Sequence, residues 1–352
     1  MSREFTDLPD VASRALGASV VHANDELFAA RENLVTPEPP VHDPRAFGPR
    51  GKVYDGWETR RRRTPGNDLA IVRLGARAEV GGVVVDTSFF SGNFPPRVSV
   101  DGVDLPGYPS VGELLGASWR PLVPASDVRG DSLNAFTVDG APRCTHVMLT
   151  LHPDGGVARL RVHGRPVPDP ALLTGTIDLA ALENGGDVVD CSDAFYASAR
   201  NQLRPGRART TGEGWENARR RDAGNDHVTV RLAGPGTVRR LVVDASCFLG
   251  NAPAEVQVRG RLGAPDADVS GEWVTLLPRT VLQPDTRHVL PVAGAAASTP
   301  VDHVRLDVYP DGGLARLRVL GELCSPVAVQ PPAGVVGKSE EGGGDGGRRA
   351  PE

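Results

Sequence analysis

A motif that occurs twice does most to constrain the fold of this chain of 352 residues. The first copy, over residues 56–63, reads Gly-Trp-Glu-Thr-Arg-Arg-Arg-Arg, and Gly-Asn-Asp follows at 66–68. The second copy, over residues 214–221, reads Gly-Trp-Glu-Asn-Ala-Arg-Arg-Arg, and Gly-Asn-Asp follows at 224–226. Because a tryptophan, an acid, an arginine cluster and an Asn-Asp pair recur at the same internal spacing, we interpret the chain as two copies of one module.

Alternating apolar residues after each motif predict β-strands. After the first motif, Ala70, Val72 and Leu74 share one side of an extended chain, which we assign to the core. Further along, two alternating runs flank Pro-Asp-Gly-Gly at residues 153–156 and again at 310–313. This block predicts a β-hairpin, since Asp-Gly tolerates the positive φ of tight turns. Together with 42 Gly and 31 Pro, these patterns predict an all-β fold of two tandem antiparallel β-sandwiches with little helix.

The repeats divide the chain into five predicted segments. The first copy is longer between Asn33 and Trp57, which are 24 positions apart, whereas their counterparts Asn201 and Trp215 are 14 apart. The extra residues lie within the Pro-rich stretch Val35–Lys52, which we interpret as a loop. The segments are a lead-in at 1–16, the first repeat at 17–165, a linker at 166–184, the second repeat at 185–325, and a tail at 326–352 that is disordered from about residue 334.

Composition argues against several classes of partner. The net charge of −5 is unfavourable for binding nucleic acid. No apolar run is long enough to cross a bilayer, so no membrane partner is expected. The N-terminal residues 2–7 are polar and lack the core of a signal peptide, which predicts a cytoplasmic protein. Four cysteines lack C-x-x-C spacing and do not coincide between the repeats, so we expect free thiols in a reducing compartment: Cys144, Cys191, Cys247 and Cys324.

The repeated motifs resemble those of the allantoicase family. The resemblance covers about residues 17–322 and includes the two-repeat layout. It implies a pair of jelly rolls related to galactose-binding domains, hydrolysis of allantoate to ureidoglycolate and urea, and assembly into a homo-oligomer. The residues that carry it are Asp55–Arg61, Ser192-Asp193, Asn33, Asn201 and the two Pro-Asp-Gly-Gly-x-Ala-Arg-Leu-Arg-Val blocks.

Allantoate, a carboxylate with two ureido groups, requires a cation and several amide-like partners. Arginine suits the carboxylate because its planar guanidinium can bind both oxygens. Side-chain amides suit the ureido groups, and tryptophan rings could form a wall. As an alternative, the tryptophans are core residues and the arginines are a solvated face or pair with local acids. The candidate substrate-binding residues are Trp57, Arg60, Arg61, Arg62, Arg63 and Asn67, and in the second repeat Trp215, Arg220, Arg221 and Asn225.

Hydrolysis also needs an acid for the departing urea nitrogen and a base for the attacking water. Carboxylates beside the arginines are candidates, since a neighbouring cation would lower their pKa and favour the base form. They could instead be structural ion pairs that hold a loop. Histidines that recur in both repeats could move protons, unless they are held by structural partners. The candidate catalytic residues are Glu58, Asp68, His146, Glu216, Asp226 and His303.

A divalent metal, Mn²⁺ or Ca²⁺, is the one candidate cofactor. The histidines show neither H-x-x-x-H nor H-x-E spacing. Hard oxygen ligands are available in predicted loops, however, at Asp55, Asp68 and Asp86.

Two other hypotheses remain open. The chain could be a non-catalytic jelly-roll module that binds a small anionic or sugar ligand, because related folds bind sugars and lipids without catalysis. Alternatively, one repeat is catalytic and the other structural. The second motif has Ala218 in place of Arg60 and Asn217 in place of Thr59, so the first repeat is then expected to be the catalytic one.

Overall fold

The structure, a computed structural model, describes residues 4–263 and 273–324. Nearly all regular structure in those residues is β, and the single α-helix among them is short, α1 (Val111–Leu115). None of their helices has the length and apolar character that a membrane crossing needs. The tail at 326–352, predicted to be disordered from about residue 334, lies outside the described residues.

The strands fall into two sets, one for each repeat. The first repeat contains β1 (Ser19–Ala23), β2 (Phe47–Gly48), β3 (Gly51–Lys52), β4 (Trp57–Glu58), β5 (Asp68–Asp86), β6 (Arg97–Val103), β7 (Arg120–Asp127), β8 (Leu133–Thr137), β9 (Arg143–His152), β10 (Gly156–Val157) and β11 (Arg159–Pro166). The second contains β12 (Ile177–Asp178), β13 (Asp187–Cys191), β14 (Asp226–Asp244), β15 (Glu255–Arg261), β16 (Val274–Val281), β17 (Arg287–Pro291), β18 (Pro300–Tyr309) and β19 (Arg316–Leu323). Short 3₁₀ segments lie at Phe5–Asp7, Arg14–Leu16, Arg31–Val35, Pro170–Leu172, Leu182–Asn184, Ala199–Leu203, Thr211–Glu213 and Gly294–Ser298.

The first repeat is organised around β5, a strand of 19 residues. The first part of β5 lies between β1 and β9, and β6 and β7 extend that sheet. The last part of β5 lies between β8 and β11. One strand therefore contributes to both layers of an antiparallel sandwich, and its buried residues Ala70, Val72, Val83 and Val85 belong to one apolar core.

The second repeat has the same arrangement around β14, which is also 19 residues long. The first part of β14 pairs with β13 and β18, and β15 and β16 continue the sheet. Its last part pairs with β17 and β19. The structure thus confirms the predicted all-β class and the tandem antiparallel sandwiches. It also confirms the predicted core side of the strand, since Ala70, Val72 and Leu74 belong to the main apolar core, whereas Ile71 is buried in a separate small cluster.

The β-hairpin predicted around residues 153–156 is wrong. The flanking strands β9 and β11 do not pair with each other; β9 pairs with the first part of β5, and β11 with its last part. The turn instead carries the chain from one layer to the other, and β10 just after it pairs with β4. The Asp-Gly signal was correct for a tight turn, in which Gly155 has φ +144°. It could not indicate which neighbour each flanking strand would choose.

Both repeats begin earlier than the predicted boundaries. In the predicted lead-in (1–16), Asp10 forms a β-bridge with β11, and Val11 is fully buried. In the predicted linker (166–184), β12 pairs with β19, and Leu179 is fully buried. These segments are therefore parts of the sandwiches, because each pairs with the edge strand of its repeat and buries apolar side chains there.

His146 and His303 lie inside strands, away from the repeated motif. In the ladder between β5 and β9, His146 faces Arg73, whereas Leu151 faces Asp68 at the motif end. The two pairs are separated by about 16 Å of strand at 3.3 Å per residue. Both histidines are 1% exposed. The structure therefore does not support the proton-transfer role predicted for either one.

The buried His146 has a testable effect on stability. Burial lowers the pKa of His146 to about 4, and the nearby Arg73 adds to the effect. In the unfolded chain the pKa returns to about 6.5. Between these values the unfolded chain binds more protons, so the histidine destabilises the fold as pH falls, by about 3 kcal/mol in full.

We expect the free energy of unfolding to fall less steeply from about pH 6.5 to pH 4 in His146→Gln than in the wild type. Urea denaturation curves at several pH values measure this difference. Equal losses in both proteins would contradict the argument.

Candidate functional site

The tryptophans of the repeated motif anchor it in the core. Trp57 is fully buried, and its indole Nε1 donates to the backbone oxygen of Asp25 at 2.7 Å. Trp215 is equally buried and donates to the backbone oxygen of Asp193 at 2.8 Å. A buried indole N–H needs such a partner. The predicted substrate-binding role of Trp57 and Trp215 is therefore wrong, since neither ring presents surface to a solute.

Arg60 and Arg62 hold the motif segment in place. The Arg60 side chain pairs with the carboxylate of Asp25, and its backbone N donates to the same group at 2.9 Å. The Arg62 guanidinium pairs with Asp68, and its backbone N donates to Asp154 at 2.7 Å. Asp68 is 1% exposed, and a buried carboxylate needs a paired cation. The contacts of Arg62 make it structural, which argues against its predicted role in binding substrate, whereas the Arg60 side chain is paired but 64% exposed.

Arg61 and Arg63 are the arginines of this segment that have no partner in the described part of the chain. Both side chains are exposed, as is that of Asn67. None of these three side chains has a hydrogen-bond or ionic partner within residues 4–263 and 273–324. Paired and unpaired arginines alternate along the segment, as expected for an extended chain whose successive side chains point to opposite sides. The rim of the first repeat therefore offers two guanidiniums and one amide to a ligand.

The second repeat shows the same alternation of its arginines. Ala218 replaces the first arginine, and its backbone N donates to Asp193 at 2.6 Å. Arg220 pairs with Asp226 at 3.0 Å. Arg221 is exposed and lacks a partner in the described part of the chain, and so does Arg219.

The asparagines of the two motifs differ in availability. Asn225 Nδ2 donates to the carboxylate of Asp307 at 3.1 Å. Its counterpart Asn67 is exposed, and among the described residues only its backbone oxygen is bonded, by Arg62 at 3.2 Å and by Asn24 at 3.3 Å. An amide that could bind a ureido group is therefore free in the first repeat and occupied in the second.

Glu58 is half-buried at the rim and accepts a hydrogen bond from Asn93 Nδ2 at 2.8 Å. Burial raises the pKa of Glu58, and the bond from Asn93 opposes this only in part. The predicted lowering of its pKa by neighbouring arginines is wrong, because those guanidiniums pair with other acids or extend into solvent. A raised pKa favours the protonated carboxyl, which suits a general acid. Glu216 has the equivalent bond from Asn251, at 2.7 Å.

Asp68 and Asp226 lie at the buried starts of the two long strands. Asp68 Oδ1 accepts from Asn24 Nδ2 at 3.2 Å as well as from Arg62, and its Oδ2 has no hydrogen-bond partner among the described residues. Asp226 accepts from Ser192 Oγ at 2.9 Å. Neither carboxylate reaches the surface, since they are 1% and 2% exposed. Their position argues against direct catalysis and in favour of orienting the motif.

A cleft with a volume of 630 Å³ opens beside the rim of the first repeat. Ala29, one of its lining residues, pairs with Glu58 through backbone hydrogen bonds. Arg60 and Arg50 also line the cleft. Its volume lies within the range of about 300–1,000 Å³ that is typical of small-molecule sites, but Glu58, Arg61 and Arg63 are not among its lining residues.

The three aspartates considered for a metal do not converge on one point. Asp55 pairs with Arg159 at 2.7 Å, and Asp68 pairs with an arginine of the motif. Asp86 accepts from the backbone N of Ser88 at 2.8 Å. In the described ranges there is no group of three or more acidic, thiol or imidazole side chains arranged to hold a metal ion. This donor set does not fit Mn²⁺ or Ca²⁺ at these aspartates.

Several rim contacts were not predicted from the sequence. Asn93 and Asn251 hold the two glutamates, and Asp25 and Asp193 each bind the motif through carbonyl and carboxylate. These residues recur at matching places in both repeats, and that recurrence was the available signal.

Comparisons with known proteins agree with this architecture. The family model described as "Allantoicase repeat" matches residues 9–167 and 177–324. A Nocardia farcinica protein named "Probable allantoicase" is 56% identical over 324 residues, covering 91% of this chain and 96% of the relative. A Streptomyces coelicolor protein of the same name is 46% identical, covering 93% and 88%.

A solved structure shows the same fold. The crystal structure of allantoicase from Saccharomyces cerevisiae superposes with a TM-score of 0.74 at 33% identity, covering 90% of this chain and 93% of that one. The two matched segments coincide with the two sandwiches, including the early starts at Asp10 and β12. The chain belongs to the allantoicase family.

Proposed function

We propose that the chain hydrolyses allantoate to ureidoglycolate and urea at the rim of the first repeat. The observation that carries the choice of site is the desolvated Glu58 in a motif that also presents two unpaired guanidiniums, Arg61 and Arg63. The second repeat also presents two unpaired guanidiniums, Arg219 and Arg221, but its Asn225 amide is bonded to Asp307. The first repeat therefore retains one more side chain, Asn67, that is free to bind substrate.

The reaction replaces one carbon–nitrogen bond with a carbon–oxygen bond. Allantoate carries a carboxylate and two ureido groups on one carbon. The bond from this carbon to one ureido nitrogen breaks, and that nitrogen gains a proton and leaves in urea. Water supplies a hydroxyl to the same carbon and gives up its other proton. The oxidation state of the carbon does not change, so the reaction needs no redox partner.

Glu58 suits both proton transfers in sequence. Burial raises its pKa, which favours the protonated carboxyl that donates to the departing nitrogen. The lone pair of the remaining ureido nitrogen assists departure, and the resulting Glu58 carboxylate then accepts a proton from the incoming water. The Asn93 amide fixes the carboxyl through its bond at 2.8 Å.

Arg61 and Arg63 bind the carboxylate of the substrate in this proposal, and Asn67 binds a ureido group. Charge-assisted hydrogen bonds of this kind contribute about 1.5–3 kcal/mol each. Arg62 and Asp68 have a different task, because their buried ion pair orders the segment that carries the other two arginines.

The compartment and the assembly state belong to the same proposal. We infer a cytoplasmic protein, supported by the free state of Cys144, Cys191, Cys247 and Cys324 in the structure, since reducing compartments keep thiols free. We also infer a homo-oligomer, on the family resemblance alone. Size-exclusion chromatography with light scattering measures the assembly state.

Replacing Glu58 tests the catalytic assignment. We expect Glu58→Gln to lower kcat by roughly 10²–10⁴-fold, because glutamine retains the bond from Asn93 but cannot transfer the proton. Glu216→Gln is the matched control and should retain activity near that of the wild type. Urea release from allantoate measures both. Equal losses would show that both repeats catalyse, and an unchanged Glu58→Gln would remove the residue from the mechanism.

Replacing the rim arginines separates binding from structure. We expect Arg61→Ala and Arg63→Ala each to raise KM by roughly 10–100-fold with little change in melting temperature, since each loses a charge-assisted bond to substrate and no side-chain bond to the described part of the chain. Arg62→Ala should instead lower the melting temperature, because it leaves Asp68 buried and unpaired. Steady-state kinetics and thermal denaturation are the measurements. A KM that stays unchanged in both surface variants would refute this assignment.

A further inference from the structure

The two repeats treat one buried arginine on the outer sheet differently. Arg159 on β11 and Arg316 on β19 occupy matching positions and are 1% and 4% exposed. Arg159 donates through Nε to the Glu38 oxygen at 3.1 Å, and Arg316 donates through Nε to the Gly206 oxygen, also at 3.1 Å. Through Nη1, both also bond the carbonyl of the preceding alanine. The Nε and Nη1 atoms of the two guanidiniums therefore have equivalent backbone partners.

The third nitrogen of the guanidinium distinguishes the repeats. Arg159 Nη2 donates to the carboxylate of Asp55 at 2.7 Å. Glu213 stands where the second repeat would have this aspartate, directly before the Gly-Trp-Glu motif. The Glu213 carboxylate bonds Arg209 Nε at 2.8 Å, and Glu213 offers Arg316 only its backbone oxygen, at 2.6 Å. Arg316 Nη2 therefore has no hydrogen-bond partner among the described residues.

The missing carboxylate leaves positive charge in a confined place. Burial and the neighbouring Arg318 lower the pKa of Arg316 to about 10. Burial is the largest cause, and the charges of Glu213 and Asp244 oppose it only in part, so an anion bonded to Arg316 would raise this pKa further. A ligand that brought a negative charge to Arg316 would relieve this deficit.

An insertion explains why only the first repeat supplies its own carboxylate. The shared carbonyl contacts place the extra residues of the first repeat between Glu38 and Asp55. One of them, Val41, donates its backbone N to the Asp55 carboxylate at 2.9 Å. Another, His42, stacks on Tyr54 with ring centroids 5.6 Å apart. The second repeat lacks these residues and has Gly212 at the position of Tyr54.

Where the insertion is absent, the second repeat has a cleft of 470 Å³. Arg316 and Arg318 lie along it, and Arg207 and Arg287 stand exposed at its sides without an ionic or hydrogen-bond partner in the described part of the chain. The volume lies within the range of about 300–1,000 Å³ that is typical of small-molecule sites.

The acids that line this cleft do not neutralise its arginines fully. Asp178 approaches Arg318 at 3.5 Å, and Asp244 accepts from the Ser246 backbone N at 2.9 Å. Glu183 Oε2 is buried and has no hydrogen-bond partner among the described residues. Burial raises the pKa of Glu183, which favours a neutral carboxyl able to donate a hydrogen bond to an anion.

We propose that this second-repeat cleft binds a small organic carboxylate, whose carboxylate group bonds Arg316 as Asp55 bonds Arg159 in the first repeat. Arg207 and Arg287 hold the remainder of the anion at the cleft opening. The site shares no lining residue with the rim cluster Glu216, Arg219 and Arg221. The inference is therefore independent of the catalytic assignment.

Isothermal titration of the full chain with malonate tests the proposal, with inorganic phosphate as a second probe. We expect wild-type protein to bind malonate with a Kd of about 1 mM or tighter. Arg207→Ala and Arg287→Ala should each weaken this binding roughly tenfold or more, and both should fold because the replaced side chains are exposed. Arg240→Ala is the matched control, an exposed arginine of the same repeat that does not line the cleft.

The outcomes distinguish malonate binding in the second-repeat cleft from malonate binding at the rim of the first repeat. Loss of binding in the two cleft variants but not in Arg240→Ala supports the proposal. Absence of malonate binding at about 10 mM, or equal binding in all variants, overturns it. Binding heat that persists in the two cleft variants but disappears in Arg61→Ala comes from the rim of the first repeat. This outcome also overturns the proposal. Phosphate binding as tight as malonate binding overturns the assignment to a carboxylate.

Discussion

A buried carboxylate at the start of each long strand determines how the repeated motif is arranged. Asp68 and Asp226 are almost inaccessible to solvent, so each needs a cation within reach. Arg62 and Arg220 provide it. Removing one partner of a buried pair costs about 3–5 kcal/mol, which exceeds what a surface arginine contributes and fixes the motif segment on the sheet. The neighbouring arginines then extend into solvent, because side chains of an extended segment alternate.

The long strand β5 also determines the arrangement of the rest of the rim. Because β5 belongs to both layers, the turn after β9 crosses the sandwich and places β10 against β4. That pairing buries Trp57 and leaves the adjacent Glu58 half-buried beside Asn93. The raised pKa of Glu58 is thus a consequence of the topology, since burial is its main cause. Chemistry at the rim depends on a strand that contributes to two sheets.

Local patterns predicted the fold class but not the site. The alternation of Ala70 and Val72 identified the buried side because a strand repeats every two residues. The pairing of β9 could not be predicted, since a turn signal says nothing about the strand opposite. The division between paired and unpaired arginines depends on Asp25, which lies far from the motif in sequence, and on the burial of Asp68. Only the folded chain brings Asp25 to Arg60 and buries Asp68 against Arg62.

The repeats differ in which carboxylate meets which guanidinium. Arg159 and Arg316 have the same carbonyl partners, so their positions are set by the sandwich itself. The insertion supplies the Val41 amide that holds the Asp55 carboxylate against Arg159. Each of the three nitrogens of that guanidinium then has a hydrogen-bond partner. Without the insertion, the same guanidinium in the second repeat faces a cleft. A loop insertion of ten residues can therefore decide whether one buried cation is structural or available to a ligand.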